Sequence, residues 1–148
     1  MNSMDLLKIL ASVFLMVVLT VITGYIEIWF VKDPLQIILL EEVVKLLPVI
    51  LLSTKLGGIL IISSVSGLTF GLIENAMRVT TAPEFILLHL ITVLISGIST
   101  YPLKRSKNYL FTLIILLGIF TSFLIHYYAN WYSGNLFFGL SSIFYIFR

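Results

Sequence analysis

The stretch Leu35-Gln36-Ile37-Ile38-Leu39-Leu40-Glu41-Glu42-Val43-Val44-Lys45-Leu46-Leu47 reads as a membrane helix interrupted by three charges. An ionised side chain at mid-bilayer costs roughly 2.5–3.5 kcal/mol on insertion scales. Three such groups in one apolar run therefore need partners, and the segment predicts a buried polar site within a bundle. Neighbouring residues on a helix point about 100° apart. An ion pair with Lys45 accounts for one of the two carboxylates. The other has to meet a proton, a metal or a catalytic water.

The rest of the chain has the same character. Of 148 residues, 59% are hydrophobic and 11% charged, against about 25% charged in a soluble domain. Mean hydropathy is +1.12. The composition predicts an all-α, polytopic transmembrane helical bundle of five to six spans, with residues 1–148 forming one domain. A net charge of +2 from scattered basic residues argues against nucleic acid as a partner and leaves the lipid bilayer. The lack of cysteine excludes disulfides, thiol nucleophiles and cysteine metal ligands. The apolar run at 9–19 has no clear cleavage site and reads as a retained first span.

Working outward, spans are expected at 6–30, 34–52, 56–79, 83–102 and 108–132. Lys32-Asp33-Pro34 separates the first two, since proline suits a new first turn. Pro48 predicts a kink in the second. Ser63, Ser64, Ser66, Gly67 and Gly71 predict close packing of the third, with the serines as packing residues. Residues 104–107 form a basic loop, and Ser133-Gly134-Asn135 ends the fifth span. The apolar residues 136–147 fit a short sixth span or a re-entrant segment. With six spans and a cytoplasmic N-terminus, Lys8, Lys55, Lys104, Arg105, Lys107 and Arg148 lie inside, and only Lys32 and Arg78 outside. That asymmetry favours this orientation, in the cell membrane.

In this topology the polar groups share one depth. Glu41 and Glu42 lie seven and eight residues from Pro34, and Glu74 five from Val79. His89 lies six residues from Pro83, and His126 six from Tyr132. At 1.5 Å per residue, all fall roughly 8–12 Å into the outer leaflet. Glu74 and Arg78 are four apart, as an ion pair would require, and so are His126 and Asn130, which can share one pocket. Tyr127, Tyr128, Trp131 and Tyr132 read as an outer aromatic belt. Glu27, beside Trp29, reads as interfacial.

Several hydrolase signatures are absent: no His-Glu-x-x-His, no aspartate within a span, and Leu94-Ile95-Ser96-Gly97 in place of a Gly-x-Ser-Gly. Glutamate and histidine remain, and two chemistries fit them. In one, Glu41 or Glu42 is the general base for water, His89 or His126 polarises water or protonates the leaving amine, and Asn130 donates to the oxyanion. In the other, Glu74, His89 and His126, with one of the Glu41-Glu42 pair, hold a divalent ion such as zinc, whose water is the nucleophile.

These motifs resemble those of PrsW-type intramembrane proteases. Glu41-Glu42-Val43-Val44-Lys45 is similar to their EExxK element and Phe70-Gly71-Leu72-Ile73-Glu74-Asn75 to their FxxxEN element. His89 stands where that family has a histidine in the next span, and His126-Tyr127-Tyr128-Ala129-Asn130 resembles the final HxxxD element. Ending in Asn130, the last motif is closer to the HxxxN of the wider group of CAAX prenyl proteases and bacteriocin-processing (Abi, CPBP) proteins. The resemblance covers about residues 34–132. It implies an intramembrane endopeptidase, glutamate-dependent or metal-dependent, that cleaves a substrate with a transmembrane segment on its extracytoplasmic side. An ion- or proton-conducting transporter and a non-catalytic membrane adaptor are the competing readings, since intramembrane acids and histidines also mark ion paths.

Overall fold

The computed structural model describes residues 3–31, 33–77, 83–105 and 110–132, and among the described residues there are helices and no strands. They are α1 (Ser3–Trp29), α2 (Pro34–Leu52), α3 (Leu56–Met77), α4 (Pro83–Ser99), the short α5 (Tyr101–Arg105) and α6 (Leu110–Tyr132). Lys32, Arg78, Lys107, Arg148, the break at 133–135 and the apolar segment 136–147 lie outside the described residues.

Four stretches are long and apolar enough to cross a membrane: Met4–Glu27, Leu56–Met77, Pro83–Arg105 and Thr112–Asn130. The remaining long helix, α2, has 19 residues and carries the three charges of the deciding stretch. The side-chain distribution is that of a membrane protein. Large apolar side chains such as Phe14, Leu51, Leu72, Leu116 and Phe120 face outward, while serine, threonine, glutamate and histidine fill much of the interior. Water would reverse this arrangement, because lipid does not drive apolar groups inward.

Local chemistry sets the helix ends. Asp33 caps α2, its Oδ1 accepting from the Leu35 N–H at 2.9 Å, with Pro34 in the first turn. The helix stays continuous through Pro48. At its other end Lys104 Nζ donates to the carbonyls of Val49 (2.7 Å), Ile50 (3.0 Å) and Ser53. A cation there complements the helix dipole and fills carbonyls that have no partner within the helix. Lys104 and Arg105 thus sit in helix α5, not in the expected loop. The fourth span breaks at Thr100, whose N–H and hydroxyl both donate to Gly97 O (3.0 and 2.7 Å). Pro102 has no N–H with which to continue the ladder.

α3 and α4 pack with their backbones nearly touching. A Cβ on Gly67 would lie 2.7 Å from His89 O, and one on Gly71 2.8 Å from Ile86 Cα. Gly67 and Gly71 are thus packing residues, as expected, Ser63 and Ser66 are buried, and Ser66 also meets Ser12 of α1 through a 3.1 Å hydroxyl–hydroxyl hydrogen bond; Ser64 instead bonds Leu60 O of its own helix. Beyond this seam Leu46, Val49, Ile59, Ile62 and Val93 form a small apolar core toward the α2 C-terminus.

Candidate functional site

The polar groups of the deciding stretch meet partners from three other helices. Glu42, on α2, has both its neighbours on Oε1. Lys45 Nζ, one turn on, donates to this oxygen, and His126 Nδ1 of α6 donates to it at 2.9 Å. Lys45 Nζ also donates to His89 Nδ1 of α4 at 3.0 Å. With Nδ1 accepting, the imidazole carries its proton on Nε2, which donates to Glu74 Oε2 of α3. One hydrogen-bonded row therefore runs from α6 through α2 and α4 to α3. His126 Nε2 lies 3.6 Å from Glu41 Oε2, so both acids of the pair face the same imidazole. The two imidazole rings meet edge to face with centroids 4.9 Å apart, and Phe70 packs against His89 and beneath the Lys45 ammonium.

The whole row is shielded from the surroundings. Glu41, Glu42, Lys45, Glu74, His89 and His126 are each at most 2% exposed. Buried charges survive only when paired and hydrogen-bonded; here Glu42, Lys45, Glu74, His89 and His126 are joined by hydrogen bonds, and Glu41 lies 3.6 Å from the His126 ring. One atom departs from this pattern. Glu42 Oε2 is buried and has no hydrogen-bond partner among the described residues. A buried carboxylate oxygen without a donor calls for a water or a catalytic role. Asn130 is buried one turn beyond His126.

The residues expected to converge do so: Glu41, Glu42, Glu74, His89 and His126 belong to one cluster, with Asn130 beside it on α6. Arg78, the expected partner of Glu74, is outside the described residues; Glu74 bonds His89. Glu27, at the end of the first span, is buried within the bundle. Its inward direction could have been read from Ser12, Met16, Thr20, Thr23 and Glu27, which recur every three or four residues and form one buried face of α1. Lys45 was expected only as a counter-ion, yet it stands at the centre of the row.

The donor types of the cluster suit a divalent ion. Glu42, His89 and His126 each bring one ligand atom to within 4.8 Å of the others. Two imidazoles and a carboxylate are a common zinc set. Glu74, expected among the ligands, instead holds His89 Nε2, the position of an outer partner. The arrangement nevertheless does not admit the metal. The Lys45 ammonium bonds both Glu42 Oε1 and His89 Nδ1, and the other His89 nitrogen is committed to Glu74.

No protein-family model, no curated protein and no solved structure matches the chain.

Proposed function

We propose that the protein is an intramembrane endopeptidase in which Glu42 activates water to hydrolyse a peptide bond of a membrane-anchored protein. The observation that carries this reading is the asymmetry of Glu42. Its Oε1 is held by Lys45 and His126, while its Oε2 is buried and has no hydrogen-bond partner among the described residues. A carboxylate fixed by one oxygen, with the other free to accept, is the geometry of a positioned general base.

A water donates to Glu42 Oε2, its oxygen attacks the peptide carbonyl, and its proton passes to the carboxylate. The tetrahedral intermediate collapses with cleavage of the C–N bond, and the same proton is delivered to the leaving nitrogen. His126 orients Glu42 through Nδ1 and, with Glu41 behind its Nε2, is poised to assist the second transfer. Asn130, one turn along α6, is the donor for the oxyanion. The resemblance to PrsW-type and CAAX-type proteases points to the same reaction class. A groove of about 510 Å³ between α2 and α6, lined by apolar side chains including Leu39 and Phe123, runs within one turn of Glu42 and His126. It suits the approach of a transmembrane segment. On this reading the chain has five to six spans, lies in the cell membrane with a cytoplasmic N-terminus, and cuts near the extracytoplasmic face.

The test is cleavage in proteoliposomes by the purified protein. The substrates are a library of single-span reporter proteins, and new N-termini are identified by mass spectrometry. Wild type is expected to generate new termini that Glu42→Gln and His126→Ala do not, both variants keeping native helicity. Equal cleavage by wild type and Glu42→Gln overturns the assignment. The row of titratable groups also favours a second reading, proton conduction. It predicts an acid-dependent current in the same vesicles and no new termini. If the glutamate variants unfold instead, the residues are structural and the adaptor reading takes over.

A further inference from the structure

We infer that the Glu42–His89–His126 cluster is a cation site whose resident cation is the Lys45 ammonium, and that a divalent metal can enter only when this side chain is removed. The inference concerns binding alone and holds whether or not the site cleaves peptides.

Three observations meet here. The donor atoms of Glu42, His89 and His126 are of the types that bind a metal and lie within 4.8 Å of one another. Lys45 Nζ sits among them, hydrogen-bonded to Glu42 Oε1 and, at 3.0 Å, to His89 Nδ1. The ammonium also lies 5.0 Å from the centroid of the Phe70 ring, whose face favours a cation. Lys45 reaches this position from one turn away on the same helix as Glu42 and is fully buried. It is therefore built into the site, not folded over it from the surface. An ammonium at hydrogen-bond distance from two of three ligands excludes a metal twice: it occupies their lone pairs, and it repels a dication at short range in a medium of low permittivity. What a metal would contribute, positive charge beside the carboxylate, the lysine supplies without any exchangeable ion.

The experiment titrates Co²⁺, and separately Zn²⁺, onto the purified full-length protein in detergent. The readouts are the visible absorption of four-coordinate cobalt and zinc retained after desalting. Wild type and Lys45→Arg are expected to show no such absorption and to retain no zinc. Lys45→Met is expected to bind one equivalent about a hundredfold more tightly than wild type, or better. Adding His126→Ala to Lys45→Met should abolish the signal. Stoichiometric zinc retention by wild type overturns the inference, and so does a folded Lys45→Met that binds no cobalt. Should Lys45→Met lose its fold, zinc is expected to restore it by taking the place of the ammonium. Failure of zinc to restore native helicity likewise overturns the inference. None of these outcomes depends on proteolysis, so a failed cleavage assay and a failed cation site remain distinguishable.

Discussion

Glu41 and Glu42 are adjacent in sequence and alike in chemistry, yet their surroundings give them different work. Among the described residues Glu42 receives two donors on one oxygen and none on the other, whereas Glu41 faces His126 Nε2 at 3.6 Å. Removing the charge of Glu42 with glutamine is therefore expected to lower cleavage by about 10²–10⁴-fold, the usual worth of a general base. Glu41→Gln should cost less, because its carboxylate acts only through the imidazole. Initial rates of reporter cleavage for the two variants, measured side by side, decide the order. Lys45→Met is a different experiment, since it leaves a buried carboxylate without its counter-charge. It should lower stability by about 3–5 kcal/mol, read as a fall in the thermal unfolding midpoint in detergent without metal. That two neighbouring acids cannot share one lysine was legible in the sequence. Which acid Lys45 would choose was not, because spacings of three and four residues both place a pair on one helix face. Its second bond, to His89, spans 44 residues of chain and depends on where α4 is held against α2, which the close approach of α4 to α3 helps to fix.

That approach is set at the level of the element. Gly67 and Gly71 stand where α3 meets the backbone of α4, and a Cβ on Gly71 would also lie 3.3 Å from the His89 ring. A methyl group at either position has to push the helices apart, since backbone atoms cannot rotate out of its way. Gly67→Ala and Gly71→Ala are each expected to destabilise the bundle by about 1–3 kcal/mol and to loosen the His89–Glu74 contact. Gly57→Ala, with nothing within 4 Å of the added group, should be neutral or stabilising by up to about 1 kcal/mol. Thermal unfolding of the three variants separates close approach from helix propensity. Most helix limits could be read directly, because Asp33-Pro34 and Pro83 are start signals in any context. The break at Thr100 could not, since it arises from competition for Gly97 O. Nor could the use of Lys104, which leaves the expected loop to cap α2. Such a cap depends on two helix ends meeting in space, and sequence spacing carries no record of it.

At the scale of the molecule, the basic residues Lys55, Lys104 and Arg105 gather at one end of the helices. Lys104 reaches the carbonyls at the C-terminus of α2, which brings Lys104 and Arg105 next to the turn holding Thr54 and Lys55. The opposite end carries Asp33 at the start of α2 and Glu84 at the start of α4. Basic residues are retained on the cytoplasmic side of a membrane, so the end with Lys55 should be inside and the buried cluster should lie toward the outer face. The sequence contains no cysteine, which allows a direct test. Thr54 and Glu84 are both exposed, and each can be replaced singly by cysteine. In intact cells a membrane-impermeant maleimide is expected to label Glu84→Cys at once and Thr54→Cys only after permeabilisation. The reverse pattern would turn the bundle over. It would leave every contact within the cluster unchanged, because those depend on helix packing, but it would move the site to the cytoplasmic leaflet. An endopeptidase there would cut membrane proteins on the opposite side, and the class of accessible substrates would change with it.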